Sequence, residues 1–212
     1  MKFEKIFIKD IDSTHTYLIN LIKNKRVAEN IAIYSNKQTK GIGSRGNLWN
    51  SDEGNLYLSF AVFMGDLPSD LQVNSSSIYF AYLAKLTLAT YGKDSWVKWP
   101  NDLYVNDLKL GGVITNKIEN MLVCGIGVNF KNPPSGAFGY KDIEPNDFLN
   151  AFLDMVCLNI SWREIFLKYI HDFDKSRKFY FNLGNKIVSL EDAFLYQDGS
   201  ILLENQRIYS LR

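Results

Sequence analysis

The chain has 212 residues, 46% hydrophobic and 22% charged, with 24 basic and 23 acidic side chains. A net charge of +1 argues against nucleic acid or an acidic membrane surface as the main partner. The length supports one good core with a small appendage, and no apolar run approaches the ~18 residues of a membrane span.

Residues 3–8, FEKIFI, alternate like an edge strand. Asp12 or Ser13 is placed to cap a helix over 14–25, with Tyr17, Leu18, Leu21 and Ile22 on one face. IAIYSN (31–36) reads as a strand leading into a glycine loop, and NLYLSFAVF (55–63) as the next strand. Residues 73–91 carry Ile78, Ala81, Tyr82, Lys85, Leu86 and Ala89 at helical spacing. WVKW (96–99) is a strand stopped by Pro100. Strands at 103–105 and 109–118 flank Asn106-Asp107, a hairpin turn, and 121–130 pairs with them. A Gly/Pro-rich loop (131–145) leads into residues 146–181, read as helical in two pieces. From 185 onward the pattern predicts four short strands, with Asp198-Gly199 as a hairpin turn. The fold class expected is therefore α+β: a mixed, largely antiparallel sheet packed with helices, plus a small C-terminal β module. The boundary is drawn between 1–182 and 183–212.

Cys124 and Cys157 are far apart and form no framework, so reduced thiols in a cytoplasm are expected. With only His15 and His171 beside them, no zinc cluster is expected and no metal site is assigned. No apolar h-region follows Met1-Lys2-Phe3-Glu4, so a leader is not expected. The loop KGIGSRGNLWNS (40–51) spells G-x-G-x-x-G with Gly41, Gly43 and Gly46. A dinucleotide loop must open a helix that receives the pyrophosphate, but this loop runs into a strand pattern instead. No Gly-Lys-Ser/Thr stands after it for a P-loop, and the kinase catalytic motifs are absent. Two readings remain: a plain glycine-rich surface loop, or a loop whose backbone, helped by Arg45, admits an anion.

The stretch VKWPNDLYVNDLKLGGVITN (97–116) gathers Lys98, Asn101, Asp102 and Lys109 around a strand–turn–strand unit, and Gly111-Gly112 permit close approach to the backbone. Together with IDSTHTYL (11–18), QTKGIGSRGNLWNS (38–51) and GIGVNF (125–130), in this order and spacing, the chain resembles the biotin–protein ligases. The ending IYSLR is more loosely similar to the family's C-terminal β module. The chain resembles the short form, without an N-terminal helix-turn-helix, so no DNA partner is expected. The resemblance implies a class II synthetase-like catalytic domain that converts biotin and MgATP to biotinyl-5′-AMP. It then transfers biotin to one lysine of a biotin carboxyl carrier domain, in the cytoplasm and without a membrane partner. It leaves a homodimer open.

The resemblance also implies roles. Lys109 matches the lysine that touches both the biotin carboxylate and the phosphate; taken alone it reads as a solvated hairpin lysine. Asp102, otherwise a turn former, is the candidate for receiving or orienting the acceptor amine, and Arg45 for holding phosphate. Ser13, Thr14 and Gln38 match residues that hydrogen-bond the ureido ring, although Ser13 and Thr14 also suit a helix cap, and His15 is counted with them among the biotin-binding positions. Gly41, Gly43, Gly112, Gly125 and Gly127 match backbone that approaches the ligand. Trp49, Asn101, Asn129 and Arg212 match the adenylate side, against ordinary core packing for Trp49 and a frayed terminus for Arg212. The family loop usually reads Gly-Arg-Gly-Arg-Arg-Gly; here Ile42 and Ser44 stand for two of its arginines, and His15 for a common asparagine. The competing readings are a lipoate–protein ligase-like acyl-adenylate ligase, a non-catalytic biotin or nucleotide binder, and a DNA-binding regulator.

Overall fold

The computed structural model describes residues 1–183 and 186–210, with every side chain among them except those of Arg45 and Asn182. The strands in chain order are β1 (Glu4–Phe7), β2 (Asp10–Ile11), β3 (Ile31–Ser35), β4 (Lys37–Gln38), β5 (Leu56–Phe63), β6 (Trp96–Lys98), β7 (Asp102–Val105), β8 (Leu108–Ile118), β9 (Met121–Val128), β10 (Tyr180–Leu183), β11 (Lys186–Ser189), β12 (Phe194–Leu195), β13 (Ile201–Leu203) and β14 (Gln206–Ile208). The α-helices are α1 (Thr14–Lys23), α2 (Ser76–Thr90), α3 (Pro145–Cys157) and α4 (Trp162–Ser176). The main sheet runs β1-β3-β5-β9-β8-β7-β6. Its β1–β3 pair is parallel and the other pairs are antiparallel, which gives the mixed, largely antiparallel sheet expected.

Period-two alternation divides the central strands between two cores. Ile31, Ile33, Ala61, Met121 and Val123 face α1, where they meet Leu18 and Ile22. The alternate positions Ala32, Phe60, Val62, Leu122 and Cys124 face the larger core with α2 and α3. Because both faces are covered, β5 is buried along nearly its whole length. Helix α2 is buried from Ser76 through Ala84 rather than along one stripe. Among the described residues, no helix is long and apolar enough to cross a membrane.

One expectation is corrected. Residues 180–181 are not helical; they open β10, which pairs with β11. Helix α4 stops at Ser176, and Arg177 turns back to donate to the carbonyls of Glu191 and Ala193. The alternation of Phe181 inward and Tyr180 outward then follows a strand period. The 182/183 boundary therefore falls inside a paired hairpin. Beyond it, Val188, Leu190, Ala193, Ile201 and Leu203 join the same core as α2 and α3.

Candidate functional site

The face of the sheet that α1 covers changes character along the strands. On β9 the residues facing α1 are Met121, Val123, Gly125 and Gly127. Opposite the two glycines, β5 places Ser59 and Tyr57, and β8 places Ile114 and Gly112. One register further, Asp102 of β7 lies opposite Gly112. The apolar filling of Met121 and Val123 therefore gives way to bare backbone. A cleft of about 640 Å3, partly open to solvent, lies there between the N-terminus of α1 and the glycine loop.

One end of the cleft is polar. Ser13 caps α1, its hydroxyl accepting from Thr16 N at 3.3 Å. The Gln38 carbonyl oxygen accepts from Thr14 N at 2.9 Å and Thr14 Oγ1 at 3.1 Å, while the Gln38 amide donates to Ser51 Oγ at 3.0 Å. Thr14 Oγ1 also lies 2.8 Å from Ser59 Oγ. The short parallel β2–β4 pair ties Ile11 to Gln38 and so fixes this end. His15, also on the wall, lies 2.7 Å through Nε2 from Asn116 Oδ1. Its burial pushes its pKa below the ordinary histidine value, against the opposing pull of the Asn116 bond.

The other end is charged. Lys109 Nζ lies 2.8 Å from Asp102 Oδ1 and 5.3 Å from the centre of the Trp49 ring. Burial lowers the pKa of neighbouring Lys98, which Asp102 raises and Lys109 lowers further. Its ammonium sits over the rings of Tyr104 and Phe179 at 5.3 and 5.0 Å. Asn101 donates to Val113 O at 2.5 Å.

The glycine loop is an ordered tight turn. Gly43 N bonds Asn47 O, Trp49 N bonds Gly41 O, and Ile42 bridges Leu48. It delivers Trp49 onto the glycine floor: a Cβ at Gly127 would lie 2.6 Å from the indole, and one at Gly112 would lie 3.5 Å from it.

Ser13, Thr14, His15, Gln38, Gly43, Trp49, Asn101, Asp102, Lys109, Gly112, Gly125 and Gly127 all line this one cleft. Gly41 and Asn129 do not. Gly41 lies behind it, where a Cβ would be 2.5 Å from Trp49 O. Asn129 is buried at the end of β9, its amide N–H on Leu110 O and its Oδ1 unpartnered. Arg45 falls in a 3-10 turn, Ser44–Gly46, and its side chain lies outside the description; Arg212 lies outside the described residues. Sequence reasoning missed Ser59, Asn116 and Ser51. The one usable signal was Ser59, a hydroxyl in an otherwise apolar strand.

Residues 7–129 match the model of the biotin/lipoate A/B protein ligase family. A biotin acetyl coenzyme A carboxylase synthetase from Helicobacter pylori, solved with bound biotinylated ATP, is 36% identical. It superposes with a TM-score of 0.93 over 98% of this chain and 100% of its own. The chloroplastic biotin–protein ligase 1 of Arabidopsis thaliana is 32% identical over 187 residues, 80% of this chain and 47% of the plant protein. Biotin–protein ligase 2 of the same plant is 35% identical over 132 residues, 58% of this chain and 37% of its own length. The chain thus spans less than half the length of these plant relatives.

Proposed function

The chain belongs to the biotin/lipoate A/B protein ligase family, and on that premise we propose that it is a biotin–protein ligase. It activates biotin with MgATP to biotinyl-5′-AMP and transfers the biotinyl group to a lysine of a biotin carboxyl carrier domain. One observation carries this reading: a glycine-floored cleft with a hydrogen-bonding end at Thr14 and Gln38 and an ammonium, Lys109, at the other. That arrangement suits a ligand with a neutral polar ring at one end and a carboxylate at the other.

The chemistry needs the ammonium. A carboxylate oxygen must attack the α-phosphorus as the bond to pyrophosphate breaks, and two anions ~4 Å apart repel by about 4 kcal/mol at an effective dielectric near 20. Lys109 offsets that repulsion, most strongly as negative charge builds on the phosphorus. Carboxylate and phosphate compete with Asp102 for the same ammonium. When they engage it, Asp102 is released to orient the acceptor amine and take its proton as the amine attacks the acyl carbonyl and AMP departs. Mg2+ enters with ATP as part of that substrate. We place the reaction in the cytoplasm, alongside the carrier protein.

The test is transfer of labelled biotin from biotin and ATP to a purified carrier domain, run beside pyrophosphate exchange with biotin and with lipoate. Label on the carrier lysine and biotin-dependent exchange are expected. Exchange driven by lipoate alone would move the chain to the lipoate branch, and exchange with neither would leave a binding protein.

A further inference from the structure

Beside the charged end of the cleft stands a second cation that the proposed chemistry does not use. Lys98 of β6 lies directly opposite Asp102 of β7 in the sheet register. Side chains of such a pair share one face of the sheet, their Cβ atoms ~5 Å apart. Asp102 thus has two lysine neighbours, and only Lys109, 2.8 Å from its Oδ1, is its ion-pair partner. Lys98 is half-buried and makes no hydrogen bond or ion pair among the described residues. Its ammonium rests instead on two aromatic faces, Tyr104 at 5.3 Å and Phe179 at 5.0 Å. Tyr104 belongs to β7 and Phe179 follows the end of α4, so two separate elements build this seat. Burial lowers the pKa of Lys98; the charge of Asp102 opposes that, and the charge of Lys109 adds to it. The cation therefore feels both members of the neighbouring ion pair.

A half-buried ammonium without a counter-ion is costly to keep, and this one gains a counter-ion only when Lys109 leaves Asp102. Departure of Lys109 alone would leave the Asp102 carboxylate, 19% exposed, unpaired beside an incoming phosphate. We propose that Lys98 is a positioning residue for acyl transfer: when the adenylate draws Lys109 away, Lys98 takes over as partner of the Asp102 carboxylate and holds it toward the acceptor amine. The inference rests on the biotin reading above and deepens it. The four-carbon stem of a lysine gives the ammonium the freedom to leave its aromatic seat for the carboxylate. Lys98 acts through Asp102 and touches neither biotin nor nucleotide.

The experiment follows single-turnover transfer from purified biotinyl-AMP to a carrier domain, corrected for spontaneous acylation, with thermal melting of each full-length protein. Lys98→Met keeps most of the stem and removes the charge; Lys98→Gln takes its place if the Met variant fails to melt cooperatively. The rate at saturating carrier should fall about 10–10²-fold, the scale of one unit charge several ångströms away at an effective dielectric near 20, with the KM for carrier little changed. Lys98→Arg keeps the charge and stacks on the same rings, so it should recover most of the rate. In an Asp102→Asn background, Lys98→Met should cost about threefold or less further, because residues that act as a unit are grossly non-additive. A Lys98→Met protein that transfers at the wild-type rate would overturn the inference. So would an Arg variant no better than Met, or a Lys98→Met loss that repeats in full in the Asp102→Asn background, since a merely structural lysine gives both. A wild-type protein that transfers nothing from biotinyl-AMP would instead overturn the ligase reading on which it rests.

Discussion

A methyl group added at Gly127 and one added at Gly111 meet different obstacles. At Gly127 the new carbon would lie 2.6 Å from the Trp49 indole, a side chain that the glycine loop delivers rather than backbone of a paired strand. At Gly111 it would lie 2.5 Å from Gly127 O and 3.3 Å from Val128 Cα, the backbone of the paired strand. Gly127→Ala is therefore expected to leave the melting temperature nearly unchanged while misplacing Trp49, costing about 10²-fold in adenylation. Gly111→Ala should destabilise by about 1–3 kcal/mol, because the sheet must part. Thermal melting and pyrophosphate exchange on both variants check the split; equal losses of stability would remove it. Lys109 behaves like Gly127 in this respect. Its side chain is 38% exposed, so its ion pair with Asp102 contributes about 1 kcal/mol or less. Lys109→Ala should melt normally yet lose adenylation by about 10²–10³-fold, with Lys109→Arg recovering only part, since a planar fork is a poor substitute for a compact ammonium.

At the scale of elements, the strand that leads into the Asn101-Asp102 turn is an edge strand protected by a helix. Val97 N donates to Asp172 Oδ2 at 2.9 Å and Trp99 N to Ser176 Oγ at 3.0 Å, both acceptors on α4. Asp172 is 2% exposed and also takes Lys85 Nζ at 2.9 and 2.7 Å. One carboxylate thus blunts the edge of β6 and neutralises a lysine of α2. Asp172→Ala strands both donors and should cost about 3–5 kcal/mol. Asp172→Asn, which keeps an acceptor for Val97, should cost less; a urea titration showing the two variants equal would assign the whole effect to charge. This arrangement shows what the sequence could and could not convey. Lys85 was legible as a helix position but not as half of an ion pair, because its partner lies 87 residues away. The glycines, Thr14, Gln38, Asp102 and Lys109 were legible because they sit in motifs whose order and spacing resemble a family's. Ser59 falls outside those motifs, and only strand register brings it to the cleft; Asn116 closes one of them, but its pairing with His15 spans 101 residues. Residues 180–181 were misread because helix and strand periods cannot be told apart over so short an apolar run.

For the whole molecule, the question is whether residues 183–212 form a separable module. Leu190, Ala193, Ile201 and Leu203 are buried in the core shared with α2, α3 and α4. The contacts at its border are polar as well as apolar: Trp162 Nε1 donates to Gln197 O, Trp99 Nε1 to Gly199 O, Ser75 Oγ to Asp198 O and Ser77 Oγ to Ser210 O. Removing residues 183–212 therefore opens the apolar core and strips partners from donors that stay buried, two of the mechanisms by which single domains lose their fold. The full chain is expected to unfold in one cooperative transition, with intrinsic fluorescence and far-UV circular dichroism coinciding. A chain ending at Asn182 should show no such transition and no pyrophosphate exchange, whatever the biotin concentration. A truncated chain that melts cooperatively and still exchanges pyrophosphate would establish the C-terminal strands as an appendage. Two transitions in the intact protein, the lower one leaving exchange intact, would lead to the same conclusion from the other direction.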